Sequence, residues 1–125
     1  MRYSKLIFFL FFFVSCRHKN EIARVEYNAV GCFGSEQSEL TIFTKNSDTL
    51  AQLKTKGKSI REIKIDNYQM SSFDLFISNL ESLNSGGCTT EEEYHIFYKD
   101  KMINKTIREC EKDPFSKLKK LWFKL

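Results

Sequence analysis

A change of hydrophobic period near the middle of the chain constrains its fold more than any other feature. Along residues 22–30 apolar and polar side chains alternate, with Ala23, Val25, Tyr27 and Ala29 on one side and Arg24, Glu26 and Asn28 on the other. That is the period of a half-buried strand. Further on, Phe73, Phe76, Ile77, Leu80 and Leu83 recur at i, i+3, i+4, i+7 and i+10, which places them on one helical face. A chain with both periods must bury a helix face against a sheet face, because neither element can hide its apolar side alone.

The other segments sort by the same two periods. Residues 40–45, 49–54 and 60–65 read as strands, with Leu40, Ile42, Ile63 and Ile65 inward, and Gly- or Asn-containing turns separate them. The helix is expected over residues 72–84, with Ser71 and Asp74 as a capping box and Gly86-Gly87 as its stop. Residues 92–98 and 102–108 flank Lys99-Asp100-Lys101 as a hairpin. Asp113-Pro114 opens a C-terminal helix whose apolar face is Phe115, Leu118, Leu121, Trp122 and Leu125, with Lys117, Lys119, Lys120 and Lys124 elsewhere. The expectation is a single α+β domain over residues 22–125, ordered β-β-β-β-α-β-β-α. Its antiparallel sheet has about five to six strands, and the helices pack on one face.

The N-terminus obeys other rules. Arg2 and Lys5 precede nine unbroken apolar residues, 6–14, and then come Ser15, Cys16 and the polar Arg17-His18-Lys19-Asn20-Glu21. A basic start, a short apolar stretch and a small residue form the layout of a secretory signal. As a helix, nine residues reach only about 14 Å, roughly half the hydrocarbon thickness of a bilayer. Phe13-Val14-Ser15-Cys16 resembles the lipobox of bacterial lipoproteins, with Phe where Leu is usual. The resemblance implies cleavage before Cys16, a diacylglycerol (and often a palmitate-type acyl chain) at that residue, and attachment to a membrane. Residues 1–15 are then the signal peptide, and residues 16–21 the lipidated cysteine and its tether. Arg17 is not the Asp that retains some lipoproteins at the inner membrane, so the resemblance favours the outer membrane of a bacterial cell envelope.

Loss of residues 1–15 leaves 110 residues, enough for one modest core, and removal of Arg2 and Lys5 lowers the formal charge from +4 to +2. That bias is too small to argue for a nucleic-acid partner. Besides Cys16, three cysteines remain: Cys32, Cys88 and Cys110. In an oxidising compartment one disulfide and one free thiol is the simplest outcome, with three pairings open. Cys88 and Cys110 fall near the open end of the expected hairpin, which favours that pair and leaves Cys32 as the free thiol.

No catalytic constellation emerges, so no enzyme activity and no cofactor is expected. His95 lies mid-strand, His18 lies in the tether, and neither has a second His at metal-ligand spacing, so no metal site is expected. A Cys–His couple of Cys32 or Cys88 with His95 lacks an orienting third group. Glu91-Glu92-Glu93 reads as solvated strand surface, since consecutive carboxylates alternate faces. Asn104-Lys105-Thr106 has the form of a glycosylation sequon but lies within an expected strand. The basic C-terminal helix suits a membrane surface, but a domain of this size needs it as cover for the sheet.

Gly31-Cys32-Phe33-Gly34 and Gly86-Gly87-Cys88-Thr89-Thr90 are the least random strings. With them the mature chain resembles a group of small bacterial lipoproteins of undefined activity. A more distant similarity is to domains with Cys-Phe-Gly-x-Cys-Pro, from which this chain departs at Glu36 and Gln37. These readings point to a lipid-anchored binding or interaction module with an envelope protein as partner. The alternative is an inhibitor or immunity lipoprotein that blocks an enzyme or toxin.

Overall fold

In the computed structural model the described residues are 19–32, 34–84, 86–87, 89–108 and 114–125. Six strands and two helices follow one another as β1 (Asn20–Gly31), β2 (Gly34–Lys45), β3 (Asp48–Thr55), β4 (Arg61–Lys64), α1 (Asn67–Ser82), β5 (Glu91–Tyr98), β6 (Lys101–Ile107) and α2 (Pro114–Phe123). All neighbouring strands pair antiparallel, so the class is α+β. Neighbours in the sheet do not follow the chain, however: the order is β4-β3-β2-β1-β5-β6. After the meander β1 to β4, α1 carries the chain back across the sheet and β5 pairs with β1 rather than with β4. The first strand thus becomes a central one.

Two-residue turns set the register. Asn46 and Ser47 (φ 52° and 67°) join β2 to β3, and Lys99 and Asp100 (φ 51° and 58°) join β5 to β6. Two successive left-handed residues match the twist of a hairpin, and Asn and Asp tolerate that region better than most side chains. Between β1 and β2, Gly31 pairs with Gly34, and Gly34 has φ 126°. The connection is tight enough to extend both strands through the polar residues 35–39. The second strand therefore starts six residues before the apolar alternation at Leu40.

One face of the sheet forms the core. Val25, Tyr27, Leu40, Ile42, Ala51, Leu53, Tyr94, Ile96 and Ile107 are buried there with Phe73, Phe76, Ile77 and Leu80 of α1 and Phe115, Leu118, Trp122 and Phe123 of α2. Phe73 is fully buried and meets Tyr98 edge-on at 5.1 Å and Trp122 at 6.1 Å. Phe43 alternates to the other face beside a β-bulge at Glu21/Ala23, and the Lys19 ammonium caps its ring at 3.7 Å. The strand begins directly after Lys19.

Two helix boundaries differ from expectation. α1 starts at Asn67, capped by Asp66: the Gln69 amide donates to Asp66 Oδ1 at 2.8 Å, and the Asp66 amide donates to Gln69 Oε1 at 3.0 Å. This capping box replaces the expected Ser71–Asp74 pair, and the Ser71 hydroxyl instead donates back to the Asn67 carbonyl. The helix stops at Ser82 with Leu83 as an extended cap, ahead of the glycines. In α2 the buried stripe is Phe115, Leu118, Trp122 and Phe123, while Leu121 and Leu125 are exposed. The stripe is rotated toward Lys119, for a reason given by the site below.

Candidate functional site

The inner face of the sheet is apolar except at one end, where the β1–β2 turn lies. There the register aligns Tyr27 with Tyr94 and with Ser38, and Ala29 with Glu92 and with Glu36. Glu92 is 5% exposed. The Tyr27 hydroxyl donates to its Oε1 at 3.1 Å and the Tyr94 hydroxyl to its Oε2 at 3.2 Å. The two phenols replace the water that the buried carboxyl group gave up, so that its oxygens keep hydrogen-bond partners. This corrects the expectation for the acidic run. Glu91 and Glu93 do face outward, Glu91 to Arg108 (2.8 Å to its Nε), but Glu92 faces the core.

A cation completes the polar end. Lys119 of α2 is 11% exposed and ion-pairs with Glu36. Its Nζ lies 4.9 Å from the Phe115 ring centroid and 5.5 Å from that of Tyr27, within cation–π range. These partners account for the rotated stripe of α2: a lysine at a core-facing position is received there by an acid and two aromatic faces. Partial burial works to raise the pKa of Glu36, but the hydrogen bond and charge of Lys119, aided by Ser38 and Lys58, outweigh it. The carboxyl titrates below its ordinary range. Ser38, itself buried, donates to Glu36 at 3.0 Å and lies 3.2 Å from the Thr55 hydroxyl. A concavity of about 270 Å³ opens beside this end, lined by Ala29, Gly31, Ser35, Glu36 and Thr90.

The residues singled out from sequence are scattered. Cys32 is an exposed free thiol in the β1–β2 turn. His95 is exposed on the opposite face, with its Nδ1 2.6 Å from Asn104 Oδ1. The register sets His95 against Glu26, six strand residues from Cys32, a separation of roughly 20 Å. Cys32 and His95 form no couple. Cys16, Cys88 and Cys110 lie outside the described residues, and with them the lipidation site and the Cys88–Cys110 pairing. Among the described residues no group of three or more His, Cys, Asp or Glu side chains is placed to hold a metal.

Among the described residues no helix lies over the outer face of the sheet. Its central rows bring Lys54, Glu39, Glu26 and His95 side by side across four strands. They line, with Glu93, a shallow concavity of about 470 Å³. Toward β6 the face turns apolar: Phe97 and Met102 pair across the hairpin, and the Arg24 guanidinium lies 5.2 Å from the Phe97 ring centroid. No protein-family model matches the chain, and no curated protein matches it.

Proposed function

We propose that the chain is an exported lipoprotein, held at a membrane of the bacterial envelope by lipid on Cys16, whose α+β domain is a binding module. The observation that carries this reading is the place of Cys16, where a nine-residue apolar run preceded by basic residues stops behind a small residue. A thiolate is the nucleophile that forms a stable thioether with the lipid, and two or three acyl chains anchor durably. The start of β1 at Asn20 agrees with it. Only residues 17–19 separate Cys16 from a central strand, so the domain would sit within about 15 Å of the lipid surface. Among the described residues no helix is long and apolar enough to cross a membrane. The intact mass of membrane-extracted protein tests the proposal. Loss of residues 1–15 with added acyl mass is expected, and Cys16→Ala should release the protein from the membrane fraction. An unmodified Cys16 in the membrane-extracted protein overturns it.

The uncovered outer sheet face favours a second reading, an envelope inhibitor or immunity lipoprotein. A broad face with Phe97, Met102 and Arg24 beside an acidic centre offers aromatic and Arg anchors of the kind that dominate protein interfaces. If so, reversing the charge of Arg24 should abolish inhibition of the captured enzyme; unchanged inhibition removes this face from the account.

A further inference from the structure

The two helices meet the sheet with their buried stripes but leave a groove between their outer flanks. From α1 and its cap it is lined by Ser72, Leu75, Phe76, Asn79, Ser82 and Leu83, which fall at i, i+3, i+4, i+7, i+10 and i+11. From α2 come Pro114, Lys117, Leu118 and Leu121, at i, i+3, i+4 and i+7. Each set is one helical face, and the space between them is about 440 Å³, within the roughly 300–1,000 Å³ of small-ligand sites. Leu75 is 60% exposed and Leu121 56% exposed. Single exposed leucines are ordinary on a protein surface, but these two line the same groove, above Phe76 and Leu118.

Among the described residues Lys117 is the only ionisable one that lines the groove, with Lys120 exposed further along α2 and Lys124 exposed just past its end. The two acids of α1 belong elsewhere. Asp74 accepts the Tyr98 hydroxyl at 2.5 Å and lies 3.7 Å from Lys99 Nζ, while Glu81 does not line the groove. The remaining polar lining, Ser72, Asn79 and Ser82, is neutral.

We propose that this groove holds a single-chain anionic amphiphile, a fatty acid carboxylate, with its hydrocarbon against Leu75, Phe76, Leu83, Leu118 and Leu121 and its head at Lys117. An apolar channel with one cation at its rim matches a chain with one anion at its end. The inference does not depend on lipid at Cys16.

The test is photo-crosslinking of the full chain, held in nanodiscs of zwitterionic lipid, with a dodecanoate analogue that carries a diazirine near its methyl end. Saturable labelling of peptides spanning residues 72–83 and 114–121 is expected. Dodecanoate should compete, and decanoate about tenfold less well, because two methylenes leave apolar contact. Lys117→Glu and Leu121→Asp change exposed side chains, so the fold should persist by circular dichroism while the apparent affinity falls at least tenfold. Lys45→Glu, on the β2–β3 turn, should change nothing. Three results overturn the proposal: labelling unaffected by Lys117→Glu, equal competition by dodecyltrimethylammonium, or displacement of the probe by an acidic amphipathic helical peptide but not by dodecanoate. The last would give the groove to a partner helix.

Discussion

Glu92 sits on the face of β5 that Tyr94 and Ile96 use for the core, and there it accepts hydrogen bonds from two phenols. The perturbation is a double-mutant cycle of Glu92→Gln and Tyr27→Phe. In the native protein the Tyr27 hydroxyl donates to Glu92 Oε1 at 3.1 Å, between groups that are both buried. Taking one partner away from a buried hydrogen bond costs about 1–3 kcal/mol. Gln keeps the size of the side chain but puts an amide group where one accepting oxygen stood, and Phe removes the donor while leaving the ring against Tyr94 and Phe115, at 5.1 and 4.8 Å. Each single variant should therefore lose about 2 kcal/mol, a fall in Tm on the order of 10 °C for a domain of this size. The double variant should lose clearly less than the sum, with a coupling of about 1 kcal/mol or more. Urea denaturation followed by Trp122 fluorescence reads all four corners of the cycle. Strict additivity would refute the reasoning, since the phenol and the carboxylate would then not be acting on each other. Glu92→Leu sharpens the contrast. Leu removes the acceptor that both Tyr27 and Tyr94 use, so this variant should lose at least as much stability as Glu92→Gln.

Three further expectations rest on separate observations. A Cβ added at Gly31 would stand 2.7 Å from Thr90 Oγ1, so Gly31→Ala should cost about 1–3 kcal/mol, and Thr90→Ala in the same chain should restore most of it in thermal melts. The folded-state pKa of Glu36 is lowered from 4.5, so its contribution is present above pH 4.5 and is lost as pH falls through the folded value; Lys119→Met should remove that acid-side component from a pH series of melts. Burial first, and then the hydrogen bond and charge of Asp74, raise Tyr98 to about 12 from 10.0. Its contribution is therefore complete below pH 10 and is lost on the way to pH 12. Asp74→Asn should bring the Tyr98 phenolate transition, seen by ultraviolet absorbance, partway back toward 10, with burial holding the remainder.

What was legible in the sequence is what local period dictates. The inward sets Ala23, Val25 and Tyr27, Leu40 and Ile42, and Phe73, Phe76, Ile77 and Leu80 are all buried, because alternation and helical spacing report a face directly. The start of α1 was not legible from period, since Asn67, Tyr68 and Gln69 run past the sheet before the helix reaches it. Its signal was chemical: Asp66 and Gln69 stand three apart behind Ile65, and Ile65 and Met70 both pack on the core, the positions of a hydrophobic staple. The order across the sheet was hidden for another reason. Pairing of β5 with β1 joins residues about seventy positions apart in the chain, and no local pattern specifies such a contact.

The candidate site was illegible for that same reason, and its parts explain one another. Glu92 reads as surface from its charge and its place in an acidic run, although it alternates with Tyr94 and Ile96, because one of the two phenols that receive it, that of Tyr27, is 65 residues away. Lys119 reads as the polar side of α2 because Glu36, its acid, is 83 residues away. Once Glu36 is in place, Lys119 turns inward and α2 rotates with it. Phe123 then enters the core and Leu121 leaves it. The same rotation that satisfies the buried polar end thus puts Leu121 into the groove opposite Leu75. The groove follows from the position of the charges inside, not from a separate apolar pattern. On this reasoning Glu36→Leu, which takes away the acid that receives Lys119 at its core-facing position, should let the helix turn Lys119 outward and draw Leu121 out of the groove. Hydrogen exchange across residues 114–123 would detect the rearrangement, and an unchanged exchange pattern would show that packing of Phe115 and Trp122 alone fixes the helix.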